Sequence, residues 1–344
     1  MSELCPVCSA EYSQNVTKCE LCGFADELGI NRTWPVVEDA ERWLNTVVKP
    51  YREKWRETLI DSTISKCKKG QIDEAAIEDL NRAIRLNPNN EILYKIRGDA
   101  YVVKGNYNHA IEDYENAIRL NSNYVKAYYN RGTVYYKNGD YNYAIEDYDN
   151  AIRLDPDNVK AYFNRGIVNY SKGDLDHAIE DYDNAIRLDP DDAEAYYNRG
   201  TVYYKNGDYN HAIEDYDNAI RLDPDDAKAY YNRGTVHDKK GEYDHAIEDY
   251  DNAIRLNPDD VKAYFNRGNV HYKKGEYDRA IEDYNNAIRL NPNDANAYMN
   301  RGSTYGVKGD HNHAMEDFEA VLRINPNHSN ARRGIETARQ GRGW

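Results

Sequence analysis

Residues 125–158 read VKAYYNRGTVYYKNGDYNYAIEDYDNAIRLDPDN, and this stretch decides the fold. Ala127, Tyr128, Gly132 and Tyr135 fall at helical spacing, and Gly139 then breaks the pattern as a glycine does after a helix. Ala144, Ile145, Tyr148, Ala151, Ile152 and Leu154 make a second apolar stripe of helical period. Asp155-Pro156 ends it, because proline drives the preceding residue out of helical geometry. Asp157 or Asn158 is placed to cap the next helix by accepting from its unpaired N–H groups. The stretch therefore predicts two helices and a turn.

The same stretch recurs. Asn-Arg-Gly begins at Asn130, Asn164, Asn198, Asn232, Asn266 and Asn300, each 34 residues after the last. Seven units follow without gaps: 91–124, 125–158, 159–192, 193–226, 227–260, 261–294 and 295–328. A degenerate eighth precedes them at 56–90, with Gly70, Ala76, Leu80, Ala83 and Pro88. Residues 128–157 and 196–225 differ only at Tyr143 against His211, which argues for recent duplication and against a unique active site. The copying also accounts for 33 Tyr beside 4 Phe and 4 Trp.

The pattern Tyr128, Arg131, Gly132, Tyr135, Ala144, Tyr148, Pro156 resembles that of the tetratricopeptide repeat family. The resemblance is strong over 91–328 and weak over 56–90 and 329–340. It implies an all-α fold, a right-handed α-solenoid (superhelix) of helix-turn-helix repeats, with a concave groove lined by the first helix of each pair. Arg stands at unit position 7 throughout, where the family has Leu. Each of these arginines, from Arg97 to Arg301, is followed sixteen residues later by an Asp, from Asp113 to Asp317. A packed helix pair would set the two side by side as a structural ion pair that fixes register.

By the same resemblance, unit positions 2, 5, 6, 9, 12 and 13 line the groove. Position 6 holds Asn130, Asn164, Asn198, Asn232, Asn266 and Asn300. A side-chain amide offers a donor and an acceptor, so this row either reads the backbone of an extended peptide or is consensus scaffold. Position 5 holds Tyr129, Phe163, Tyr197, Tyr231 and Phe265, with Met299 last; the expectation is that part of this row is exposed in the groove and part packs between helices. Lys126, Lys160, Lys228 and Lys262 stand at position 2, which favours an acidic or neutral peptide. Some family members clamp an acidic chaperone tail with Lys, Asn, Asn, Lys and Arg. Here Lys95, Asn130 and Lys160 match that clamp, but Asp99 and Asn164 do not, and an aspartate would repel the ligand.

The N-terminus differs in kind. Cys5-Pro-Val-Cys8 and Cys19-Glu-Leu-Cys22 are two Cys-x2-Cys pairs ten residues apart. Four thiolates suit one tetrahedral Zn2+, and a module this small cannot bury a core, so 1–30 resembles a zinc ribbon with one structural zinc. A redox dithiol would want a βαβ context that is absent. Residues 31–55 form a linker with capping helices: Trp34-Pro35 opens one, and Pro50 is expected to kink or split it. That apolar stripe either caps the array or offers a helix to a partner. Residues 329–344 supply a polar C-terminal capping helix and tail.

The net charge is −15, which argues against broad nucleic-acid binding. No apolar run is long enough to span a membrane and no secretory leader is evident, so the expected location is cytoplasmic. No nucleophile–base set, phosphate loop or His–His metal spacing stands out. His211, His245 and His313 share one loop-proximal repeat position and read as surface residues. The expectation is a non-enzymatic protein-interaction scaffold whose groove binds a peptide or partner protein. The alternative is an adaptor or co-chaperone-like factor, targeted by its zinc ribbon to an enzyme or nucleic-acid complex.

Overall fold

The computed structural model describes residues 3–4, 11–12, 49–68 and 72–340. Cys5, Cys8, Cys19, Cys22 and the Trp34-Pro35 helix start lie outside the described residues. The chain forms two compact units, 1–156 and 157–344.

In the first unit, β1 (Glu3–Leu4) and β2 (Glu11–Tyr12) pair antiparallel, with Glu3 opposite Tyr12 and Leu4 opposite Glu11. Among the described residues six helices follow: α1 (Lys49–Lys68), α2 (Glu74–Leu86), α3 (Glu91–Val103), α4 (Tyr107–Leu120), α5 (Val125–Asn138) and α6 (Tyr141–Leu154). Helix α1 runs from Lys49, with Pro50 in its first turn; the stretch before it, on which the expected kink or split depends, lies outside the described residues. The missing N–H of a proline costs nothing there, because first-turn N–H groups have no helical acceptor. Ile60 and Ile64 of α1 pack on a core of Ile77, Leu80, Ile84 and Leu93, which makes α1 and α2 the degenerate leading pair.

The second unit holds α7 (Val159–Lys172), α8 (Leu175–Leu188), α9 (Ala193–Asn206), α10 (Tyr209–Leu222), α11 (Ala227–Lys240) and α12 (Tyr243–Leu256). It continues with α13 (Val261–Lys273), α14 (Tyr277–Leu290), α15 (Ala295–Val307), α16 (His311–Ile324) and α17 (Ser329–Arg339). Odd-numbered helices from α7 to α15 are the first of each pair, and even-numbered ones the second.

The cores are small and repeated. In the second unit Ala178, Tyr182 and Val202 make one, Ala212, Tyr216 and Val236 the next, and Ala246, Tyr250 and Val270 the third. Each joins the second helix of one pair to the first helix of the following pair, so no repeat completes its core alone. Glycine at unit position 8 permits the close approach within a pair. A Cβ on Gly132 would meet the Tyr148 ring, Asp147 and the Ala144 carbonyl, each at 3.2 Å. Glycine at position 15 ends most of the first helices; Gly207 takes φ 82°, a left-handed value that other residues resist. Asn158, not Asp157, caps α7, accepting from Ala161 N at 3.1 Å. Asp192 caps α9 by accepting from Glu194 N and Ala195 N.

Among the described residues, no helix is long and apolar enough to cross a membrane.

Candidate functional site

Within the second unit, each first helix touches the first helices before and after it, whereas the second helices do not touch one another. The first helices α7, α9, α11, α13 and α15 thus form one continuous row, along which position 6 meets position 5 of the preceding helix at Asn232–Tyr197 and Asn266–Tyr231. In the first unit α1, α3 and α5 are in contact in the same way.

The arginine row runs along the same helices. Arg199 Nε and Nη2 donate to Asp215 at 2.8 and 2.6 Å, and Nη1 reaches back to Asp183 of the preceding repeat at 2.5 Å. The guanidinium lies between Tyr196 and Tyr203, 5.7 and 5.9 Å from their ring centres. Arg97, Arg131, Arg165, Arg233, Arg267 and Arg301 pair in the same way with Asp113, Asp147, Asp181, Asp249, Asp283 and Asp317 at 2.6–2.7 Å. Burial opposes the Arg199 charge. The hydrogen bonds and charges of Asp215 and then Asp183 outweigh that, holding the guanidinium above its ordinary pKa. The row is a structural clamp within and between repeats, as its sixteen-residue spacing predicts.

The asparagines at position 6 are half-buried, and their amides are engaged inside the protein. Asn232 Nδ2 donates to the Tyr197 hydroxyl and Asn266 Nδ2 to that of Tyr231, both at 2.9 Å. Asn300 donates to Asn269 Oδ1, and Asn130 to Asp99 Oδ1, each at 2.8 Å. In every one of these bonds the acceptor belongs to the preceding first helix. Asn198 instead donates to its own helix at the Glu194 carbonyl, 2.9 Å away. Asn164 is half-buried on α7.

The position-5 rings are half-buried too and lean on the buried tyrosine of the second helix. The centroid separations are 5.8 Å for Tyr129–Tyr148, 5.7 Å for Phe163–Tyr182, 5.9 Å for Tyr197–Tyr216, 5.8 Å for Tyr231–Tyr250 and 6.0 Å for Phe265–Tyr284. Burial pushes the Tyr197 and Tyr231 hydroxyls above their ordinary pKa, which keeps them neutral hydrogen-bonding groups. The ring row is therefore part packing and part surface. Lys126, Lys160, Lys228 and Lys262 are exposed beside it. Lys205 Nζ stands 4.5 Å from the centre of the Tyr170 ring on the preceding first helix, a cation–aromatic contact.

Two features escaped sequence reasoning. Asp99 occupies the would-be carboxylate clamp from inside: it receives Lys95 Nζ at 2.6 Å, the Tyr114 hydroxyl at 2.8 Å and the Asn130 amide at 2.8 Å. The second corrects the expectation that no His–His metal spacing occurs. His237 and His245, eight residues apart, meet across the α11–α12 turn with ring centres 5.2 Å apart. The signal lay in repeat positions 11 and 19, which face each other in other units as Tyr101–His109, Tyr203–His211 and Tyr305–His313.

A search of the curated proteins finds no match for the chain. Among solved structures, YrrB, described as a TPR protein with an unusual peptide-binding site, is 28% identical. It covers 56% of this chain and 99% of its own, with a TM-score of 0.50. The C-terminal part of a TPR repeat-containing protein from Cytophaga hutchinsonii is 20% identical, covers 80% of this chain and 98% of its own, and has a TM-score of 0.54. A tetratricopeptide repeat protein from Parabacteroides merdae is 21% identical, covers 72% of this chain and 98% of its own, and has a TM-score of 0.53. These last two share the fold alone. The family profile "TPR repeat" matches residues 98–139, 132–173, 168–207, 200–241, 238–275 and 268–309, and "Tetratricopeptide repeat" matches 295–328. With its glycine-notched helix pairs, shared inter-repeat cores and these matches, the chain belongs to the tetratricopeptide repeat family.

Proposed function

We propose that this protein is a non-enzymatic interaction scaffold whose first-helix face binds an extended peptide or a partner protein. The observation that carries the reading is the unbroken contact of first helix on first helix from α7 to α15. It converts five separate helices into one surface lined by exposed Lys160, Lys228 and Lys262 and the half-buried rings of Phe163, Tyr197, Tyr231 and Phe265. Rigid aromatics give contact area at low entropic cost, and the lysines favour an acidic or neutral segment. The peptide-binding site of YrrB supports the same reading. The asparagines contribute by holding the rings in place, since Asn232 and Asn266 fix the hydroxyls of Tyr197 and Tyr231.

The proposal includes a structural zinc on Cys5, Cys8, Cys19 and Cys22. The antiparallel pairing of β1 and β2, which flank Cys5 and Cys8 in the chain, supports the reading.

Selection from a displayed random-peptide library against the full chain tests the face. Peptides enriched in Asp and Glu should emerge, and Lys228→Glu with Lys262→Glu should weaken them at least tenfold without changing helicity. Peptides that bind the double variant equally well would place the binding elsewhere.

A further inference from the structure

The repeat 227–260 is set apart by its histidines. It alone carries His at both unit position 11, His237, and unit position 19, His245. Glu242, the N-cap of α12, stands between them in the chain. The imidazoles and the carboxylate each bring a ligand atom to within 4.8 Å of the other two. We propose that His237, Glu242 and His245 bind a divalent transition-metal ion of the zinc class.

The donor set is two neutral imidazoles and one carboxylate, the borderline-soft combination that suits Zn2+ and its neighbours better than Mg2+ or Ca2+. His237 Nδ1 lies 2.7 Å from Glu242 Oε2, a hydrogen-bond distance. An ion bonded to both at about 2.0–2.1 Å takes the place of that proton with a small outward shift of the carboxylate. The proton would then reside on Nε2, on the side of the ring toward Asp249 Oδ2, 3.9 Å away. Lys240 Nζ holds the other Glu242 oxygen at 2.9 Å and orients the carboxylate.

The surroundings suit a dication. The rings border a cleft of about 270 Å3 whose wall also carries Asp217, Glu248 and Asp249 against a single cation, Arg233. Arg233 bonds Asp217 and Asp249, which leaves Glu248, and Glu242 beside Lys240. Three protein ligands leave a fourth position for water or a donor from a partner.

The next repeat is a built-in contrast. His271 Nδ1 again lies 2.7 Å from Glu276 Oε2, and Nε2 lies 3.8 Å from Asp283. Arg279 replaces the second histidine there and places Nη1 3.2 Å from Glu276 Oε2, so a fixed positive charge stands where an ion would sit. In repeat 193–226, Tyr203 stacks on His211 at 5.1 Å, and one ligand is lost from the other side. These two arrangements supply substitutions that the fold already accepts.

The test is calorimetric titration of ZnCl2 into the full chain and into His237→Tyr, His245→Arg and His271→Tyr, with circular dichroism to confirm equal helicity. His237→Tyr and His245→Arg should each bind one zinc fewer per chain, or bind that equivalent at least tenfold more weakly. His271→Tyr should match the parent. Because the cysteines are common to all four proteins, the difference isolates this site whatever they bind. Equal stoichiometry and affinity across the four would overturn the proposal. So would a loss in His271→Tyr equal to that in His237→Tyr, which would point to nonspecific histidine binding.

Discussion

A single aspartate shows what holds one repeat to the next. Asp215 is buried against Arg199, whose remaining nitrogen grips Asp183 one repeat earlier. Removing Asp215 leaves the Arg199 guanidinium with Asp183 alone, so the cost falls below the about 3–5 kcal/mol of breaking a fully buried pair. Asp215→Ala should lower the urea midpoint accordingly. Replacing Arg199 by Met and Asp215 by Leu together should recover most of the loss, because two apolar groups leave no stranded charge. Position 6 carries a milder version of the same dependence: Asn266→Ala removes one inter-helix hydrogen bond and should cost about 1 kcal/mol. Binding measured on such a variant must therefore be compared at matched fraction folded. The surface histidines add a pH effect. His211 Nδ1 lies 2.6 Å from Asp208 Oδ2, and that hydrogen bond, with the charge behind it, raises the His211 pKa from 6.5. The Asp208 pKa is lowered from 3.8 chiefly by the same bond. The histidine's contribution is complete below pH 6.5 and disappears as pH rises through its raised value. The aspartate's is complete above 3.8 and disappears as pH falls through its lowered value. NMR titration should show the His211 midpoint above 6.5 and returning toward it in Asp208→Asn.

At the scale of helices, the caps set where each element begins. Asp192 accepts from Glu194 N and Ala195 N at 3.0 and 3.2 Å, so Asp192→Ala should cost about 1 kcal/mol, read from the shift in urea midpoint. Such boundaries were legible in the sequence, because glycine, proline and aspartate act on the backbone within a few residues of themselves. The Arg–Asp clamp was legible for a related reason: its members lie sixteen residues apart inside one helix pair and recur together in every one of the seven copies. Contacts between repeats were not. The Asn232 amide finds Tyr197 thirty-five residues upstream, and in a near-perfect repeat every such offset looks alike. The sequence therefore left the asparagine row open between a ladder for a ligand and consensus scaffold, whereas the structure shows the amides of Asn130, Asn232, Asn266 and Asn300 bonded to the preceding first helix. His237 and His245 were missed because a spacing of eight means nothing along one helix. It acquires meaning only when a turn at Gly241 folds two helices face to face.

For the second unit as a whole, stability is a chain of nearest-neighbour contacts, so where a lesion falls matters as much as its size. Helix α17 closes the end. Ala331 and Ile335 join Ala314, Phe318 and Val321 in the terminal core, and a Cβ on Gly334 would come within 2.7 Å of the Phe318 ring. Phe318 and Val321 are fully buried with that helix in place. Removing residues 329–344 would open them to water. At roughly 1.5–3 kcal/mol for each large apolar side chain uncovered, the loss exceeds what one repeat interface can absorb. The last pair, α15 and α16, should then fray first. Hydrogen exchange of the truncated chain should show protection lost in His311–Ile324, less in Tyr277–Leu290, and least in Val159–Lys172. A uniform loss across these segments would instead mean that the unit unfolds as one cooperative block. The same experiment on Asp215→Ala separates the two pictures further: a lesion in the interior should lower protection on both sides of α10, whereas truncation acts from the end inward.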